Sequence, residues 1–189
     1  MKKIILLDVD DVLLDWYSGF KRYMTHLGYI ENENREYDLS KRFSTTKKQM
    51  EKIIKTFNKR WEFGTLDPLP NAVESLAKLK KLNFSFVAIS SCSTDLATIA
   101  LRRSNLFWVF GDVFESVHCI NLGESKETHL ADYNPTWWIE DKFENASAGL
   151  KYGHKPILIN QPSNQGKYHD DILRVNNWCE IYEHITNSD

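Results

Sequence analysis

The sequence predicts an α/β fold: a parallel β-sheet flanked by helices, with a small helical insertion after the first strand. Three observations carry this reading. Residues 4–7 (IILL) are an unbroken apolar run that stops on three carboxylates, Asp8, Asp10 and Asp11. A run of that length and composition fits a strand buried on both faces, as in a parallel sheet. Further short runs of the same character, at residues 84–89 and 156–160, are separated by stretches of helical periodicity, the alternation that βαβ units produce.

The first strand also carries the first chemical signal. In open α/β sheets ligands bind at the carboxyl ends of the strands. Asp8 and Asp10, two apart on an extended segment, can both reach one small site there, while Val9 points back into the fold. Two like charges at ~4 Å and an effective dielectric of about 20 repel by roughly 4 kcal/mol. That cost argues for a cation between them, and hard oxygen ligands argue for Mg²⁺.

After it, Leu13, Trp16, Tyr17, Phe20, Tyr23, Met24 and Leu27 recur at helical spacing, with Gly28 where a C-cap falls. This predicts a helix of roughly four turns. Residues 31–45 are polar and aperiodic and read as a loop. Thr46 and Gln49 have capping-box spacing, and Met50, Ile53, Ile54, Phe57 and Trp61 then form one apolar face. Lys48, Lys52, Lys55 and Lys59 line the other face. They read first as a solvated surface and second as an attractor of anionic substrates. Residues 64–70 (GTLDPLP) break the pattern, so the insertion is placed at 15–67 and the core at 1–14 and 68–189.

Pro70 is placed to open the next helix, with Ala72, Val73, Leu76, Leu79 and Leu82 on one face. The strand at 84–89 ends on Ser90 and Ser91, a helix is expected at about 93–105, and residues 107–120 read as one or two short strands. Residues 123–127 (GESKE) lead into a short helix. A short strand at 135–139 ends on Glu140 and Asp141, a helix follows at 142–152 with Gly153 closing it, and the next strand spans 156–160. Trp178, Ile181 and Tyr182 are spaced for a last helix packed on the core.

Composition excludes several classes. With 24 Lys+Arg against 26 Asp+Glu there is no bulk pull toward nucleic acid, and nucleic acid is not the expected partner. The four apolar residues before Asp8 are too few for a signal peptide, and no stretch approaches the ~20 apolar residues of a membrane span. A soluble, cytoplasmic protein is expected. Cys92, Cys119 and Cys179 are odd in number and form no CxxC, so neither structural disulfides nor a zinc site is expected, and Cys92 reads as a small buried side chain. His169-Asp170-Asp171 reads as a polar turn.

Asp8-Val9-Asp10-Asp11-Val12-Leu13 resembles the first motif (DxDxT/V) of the haloacid dehalogenase (HAD) superfamily. Ser90 or Ser91, Lys126 within GESKE and the Glu140-Asp141 pair stand in the order of its other three motifs. The resemblance implies a Rossmann-like core with a cap inserted between the first and second motifs. It implies Asp8 as a nucleophile forming an aspartyl-phosphate, and Asp10 as the acid and base that serves the leaving alcohol and then water. It further implies phosphate binding by Ser90, preferred to Ser91, and by Lys126, and Mg²⁺ held by Asp8, Asp10 and Asp141 with Glu140 in support. The usual pair at the last motif is Gly-Asp or Asp-Asp, so Glu140 is a departure.

Haloacid dehalogenases lack the second acid, because a halide leaves without a proton, so Asp10 favours phosphatase chemistry. Residues 64–81 resemble the 5′(3′)-deoxyribonucleotidases, with Asn71 in place of a glycine. In that family aromatic side chains of a small cap stack on the base, a role Trp16, Trp61 and Phe63 could take here. The leading expectation is a Mg²⁺-dependent 5′-nucleotidase acting on (deoxy)ribonucleoside monophosphates. The alternatives are a phosphatase for another small phosphometabolite or for nucleic-acid 3′-phosphate ends, and a catalytically silent binding protein.

Overall fold

The computed structural model describes residues 3–33 and 36–188. Its centre is a six-stranded, all-parallel sheet of order β3-β2-β1-β4-β5-β6. The strands are β1 (Lys3–Leu7), β2 (Phe84–Ser91), β3 (Phe114–Ile120), β4 (Trp137–Glu140), β5 (Lys155–Ile159) and β6 (Leu173–Val175). Helices α1 (Trp16–His26), α2 (Leu39–Arg42) and α3 (Lys47–Phe57) lie between β1 and β2 in the chain. The rest are α4 (Ala72–Lys81), α5 (Leu96–Phe110), α6 (Glu127–Ala131), α7 (Phe143–Leu150) and α8 (Trp178–Asn187).

A parallel strand covered on both faces needs apolar side chains on both, and β1 has them. Ile5 and Leu7 enter the main core, while Leu6 joins Val87, Ile89, Leu130 and Trp138 in a second cluster. The chain leaves β1 toward β2 on one side and returns to β4 on the other, so the connections diverge at β1. Such a switch point opens a crevice beyond the carboxyl ends of the strands. Leu7 lies opposite Ile139, and Asp8 N–H donates to the Ile139 carbonyl at 2.9 Å. Asp8 therefore emerges beside Glu140.

The inserted helices are held by aromatic packing. Trp16 stacks on Phe20 with centroids 4.7 Å apart, and Phe57 meets both edge-on. Asp15 caps α1 through Ser18 N–H, and Thr46 caps α3 through Gln49 N–H. The box at Thr46 is only half formed, because the Gln49 amide donates to the Tyr29 hydroxyl at 2.8 Å. At the other end of the chain, α8 buries Trp178, Ile181 and Ile185, and Trp178 Nε1 donates to the Val12 carbonyl at 2.7 Å. The tail helix is thereby tied to the turn that follows β1. Among the described residues no helix is long and apolar enough to cross a membrane.

Four sequence expectations are corrected. Residues 107–110 are helical, because Leu106 and Phe110 extend the buried stripe of α5 to Gly111, whose φ of 71° ends it. Residues 39–42 form α2 inside the expected loop, and β6 adds a sixth strand; at four and three residues both are too short to show periodicity. Pro70 does not open α4. The helix starts at Ala72, behind Asn71 at φ 66°. That left-handed conformation costs most side chains about 1–2 kcal/mol but suits glycine and is tolerated by asparagine. Asn71→Val is expected to lower stability by about 1–2 kcal/mol, with Asn71→Gly neutral or better, as read by thermal unfolding.

Candidate active site

Past β1 the chain turns sharply. Leu13 and Leu14 N–H both donate to the Val9 carbonyl at 2.9 Å, and Asp11, at φ 58°, takes the left-handed conformation the turn needs. Asp8 and Asp10 are set at its start. The loop before α6 carries Lys126, buried, into the space between β1 and β4, where its Nζ lies 2.6 Å from Asp8 Oδ1 and 2.7 Å from Glu140 Oε1. β4 ends on Glu140 and Asp141, which with Asp8 offer oxygen atoms all within 4.8 Å of one another. Side chains from positions 8, 126, 140 and 141 thus meet at one rim of the sheet.

The two acids of β4 differ in what is left open. Glu140 is fully buried and accepts four hydrogen bonds: from Lys126 (2.7 Å) and Asn145 (2.8 Å) at Oε1, and from the Asp141 (3.0 Å) and Lys142 (2.9 Å) N–H groups at Oε2. Its carboxylate is spent on holding Lys126 and the backbone turn. Asp141 is fixed instead through its backbone, whose carbonyl accepts from Asn164 Nδ2 at 2.7 Å.

The electrostatics show a shortage of positive charge. Burial, then the neighbouring Glu140 carboxylate, raises Asp8 to about 7 in spite of Lys126. Asp141 is raised well above the ordinary range by burial and by Glu140, Asp8 and Asp11. Burial also lifts Asp11, to about 8, although its Oδ1 accepts the Tyr17 N–H at 2.8 Å. Lys126 behaves oppositely: burial would depress it, but Asp8 and Glu140 outweigh that and hold it above its usual value. One ammonium faces three buried carboxylates, so an all-oxygen cluster fits a hard divalent cation.

Around this centre, Asp10 bonds to the buried Arg102 of α5. At the end of β2, Ser90 Oγ is buried with no hydrogen-bond partner among the described residues, whereas Ser91 Oγ donates to the Asn121 carbonyl at 3.1 Å. Tyr37 lies with its ring 4.9 Å from Lys142 Nζ. Half its surface is exposed, and desolvation, followed by the carboxylates of Asp141, Glu140, Asp8 and Asp11, raises its hydroxyl well above the usual value.

The aromatic candidates separate. Trp16 is buried, stacked on Phe20, and donates from Nε1 to Asn58 at 3.1 Å. Phe63 is fully enclosed, with the Arg102 guanidinium 4.0 Å from its ring centroid. The faces of Trp16 and Phe63 are therefore occupied by protein. Trp61 remains 68% exposed. Sequence reasoning missed Arg102, Asn145, Asn164 and Tyr37. For Arg102 the available signal was a pair of arginines, 102 and 103, in an otherwise apolar helix, with nothing to say which of the two is buried, and the others carried none.

A parallel sheet with a strand-end acidic centre and an insertion after β1 is the architecture of the HAD hydrolases. Solved structures agree on the fold. A HAD-superfamily hydrolase from Ehrlichia chaffeensis superposes with a TM-score of 0.60 at 18% identity, covering 99% of this chain and 98% of the other. CbbY from Rhodobacter sphaeroides, solved with phosphate, does so with 0.63 at 14% identity and 96% of both chains. Within the superfamily, the chain belongs to the family described as 5′ nucleotidase, deoxy (pyrimidine), cytosolic type C, whose profile matches residues 2–188. YqfW of Bacillus subtilis (strain 168), named provisionally as a nucleotidase, is 26% identical over 188 residues, spanning 96% of this chain and 93% of its own. The protein is a phosphatase of the nucleotidase family.

Proposed function

We propose that the protein is a Mg²⁺-dependent 5′-nucleotidase of the cytosol that hydrolyses (deoxy)ribonucleoside monophosphates through a phosphorylated Asp8. The observation that carries this reading is the convergence of Asp8, Lys126 and Asp141 at the end of β1, with Asp10 two residues beyond the nucleophile. Asp8 attacks phosphorus, and Lys126, anchored by Glu140, neutralises and orients the phosphoryl oxygens. Asp10 protonates the departing alcohol and then takes a proton from the water that cleaves the acyl phosphate. Ser90 holds a phosphoryl oxygen with the hydroxyl that the fold leaves unpaired.

Asp8 and Asp141 would hold Mg²⁺ with the Asp10 carbonyl, Glu140 being saturated by its four bonds. The ion supplies charge neutralisation at the phosphoryl group. Residues 15–67 act as the cap over this site. Of the aromatic residues, Trp61 and Tyr37 retain surface for a base.

The test is phosphate release from a panel of nucleoside 5′- and 3′-monophosphates, sugar phosphates and 3′-phosphorylated oligonucleotides, with Mg²⁺ and with EDTA. Mg²⁺-dependent turnover with kcat/KM at least about tenfold higher on 5′-nucleotides is expected. A sugar phosphate or oligonucleotide as best substrate overturns the nucleotidase assignment, and undiminished turnover in EDTA overturns the metal.

A further inference from the structure

Arg102 is fully buried on α5, yet among the described residues only one of its guanidinium nitrogens, Nη2, has a hydrogen-bonding partner, Asp10 Oδ1. Nε and Nη1 are buried without one. Leaving buried N–H groups unpaired is expensive, and a fold that needed only an ion pair could have placed it at the surface. The rest of α5 shows that this arginine is held in place. The Phe63 ring backs the guanidinium at 4.0 Å. One turn on, Asn105 clamps both the N–H and the carbonyl of Leu66 at 3.0 Å. Leu101 packs against Gly64 so closely that a Cβ there would come within 2.8 Å of Leu101 Cδ2. Three positions within about one turn of α5, 101, 102 and 105, therefore grip residues 63–66, and Arg102 presents a fixed guanidinium to Asp10.

We propose that Arg102, backed by Phe63, is a positioning residue that pins Asp10 by Oδ1 and leaves Oδ2 to carry the proton between leaving alcohol and attacking water. The proposal rests on the acid–base role given to Asp10 above. In the first step the P–O bond to the alcohol breaks as Asp8 bonds to phosphorus, and Oδ2–H passes its proton to the leaving oxygen. In the second, water adds to phosphorus, its proton returns to Oδ2, and the Asp8–phosphate bond breaks. One carboxyl oxygen must be aimed correctly in both steps, which a side chain free to rotate about χ1 and χ2 achieves only part of the time.

The test compares Arg102→Met, Arg102→Lys and Asp10→Asn with the wild type on two substrates. One is p-nitrophenyl phosphate, whose phenolate leaves without a proton; the other is the alkyl phosphate the wild type turns over best. In Arg102→Met, kcat on the alkyl ester is expected to fall by about 10²-fold, within the range for general acid–base catalysis. On p-nitrophenyl phosphate the first step is spared and the second is not, so a burst of p-nitrophenolate close to one per active site precedes a slow steady state. Asp10→Asn shows the same pattern, and Arg102→Lys recovers part of the loss.

Equal losses on both substrates with no burst, or no loss at all, overturn the positioning role. If Arg102→Met does not fold by circular dichroism, Phe63→Leu, which removes the backing and keeps the charge, is read by the same ratio and burst. A wild type without activity on any phosphate ester overturns the phosphatase reading itself. Wild-type turnover with no leaving-group signature in the variants overturns only this inference.

Discussion

Asp8→Asn is expected to reduce phosphate release by about 10⁴-fold or more while leaving the chain folded, the scale seen when a nucleophile that works as a unit with its partners is removed. The amide is isosteric with the carboxylate, and Lys126 keeps its 2.7 Å bond to Glu140, so the local frame survives. What is lost is an anionic oxygen able to bond phosphorus, and no neighbour replaces it. Glu140 is bound on both oxygens, Asp10 is tied to Arg102, and Asp11 accepts the Tyr17 N–H. Mass spectrometry of acid-quenched wild type in turnover should find phosphate on the peptide containing Asp8, and none on the variant. Residual activity above about 1% in a preparation free of wild type would move the nucleophile elsewhere.

How far these conclusions were legible in the sequence differs from residue to residue. The IILL run and the carboxylates behind it announce a strand buried on both faces with a site at its end, because both features are local and the apolar run admits few other placements. Lys126 and the pair at 140–141 are legible only as members of an ordered set, since a single lysine in a polar loop has no pattern of its own. Arg102 is a different matter. It meets Asp10 across a separation of 92 residues, and the helix that carries it is marked by its apolar stripe and not by its one buried cation. Phe63 shows the converse problem: an aromatic beside a predicted site can serve a ligand or the protein, and only packing decides. Here the ring is spent on Arg102.

The same crowding of carboxylates makes the stability of the metal-free protein run opposite to the usual pH trend. An acid with a depressed pKa stabilises the fold as pH rises. Asp8 is raised from 3.8 to about 7 and Asp11 to about 8, and Asp10 and Asp141 are raised as well. Between about pH 4 and pH 8 the folded chain therefore holds more protons than the unfolded chain, and stability is expected to fall as pH rises through that window. For Asp8 alone the full displacement corresponds to about 4 kcal/mol, an upper bound for a group in contact with Lys126. A divalent cation binds the deprotonated acids of the folded state and removes the penalty, adding about 2.7 kcal/mol at one hundred times its Kd. Calorimetry from pH 5 to pH 8 should show Tm declining in EDTA, a flatter profile in Mg²⁺ and a gap between them that widens with pH. Asp141→Asn, which removes one of the crowded charges and one ligand oxygen, should raise Tm in EDTA at pH 8 and shrink that gap. Coincident profiles with and without Mg²⁺ at pH 8 would show that the crowding is met within the protein, by protons on the acids, and not by a cation.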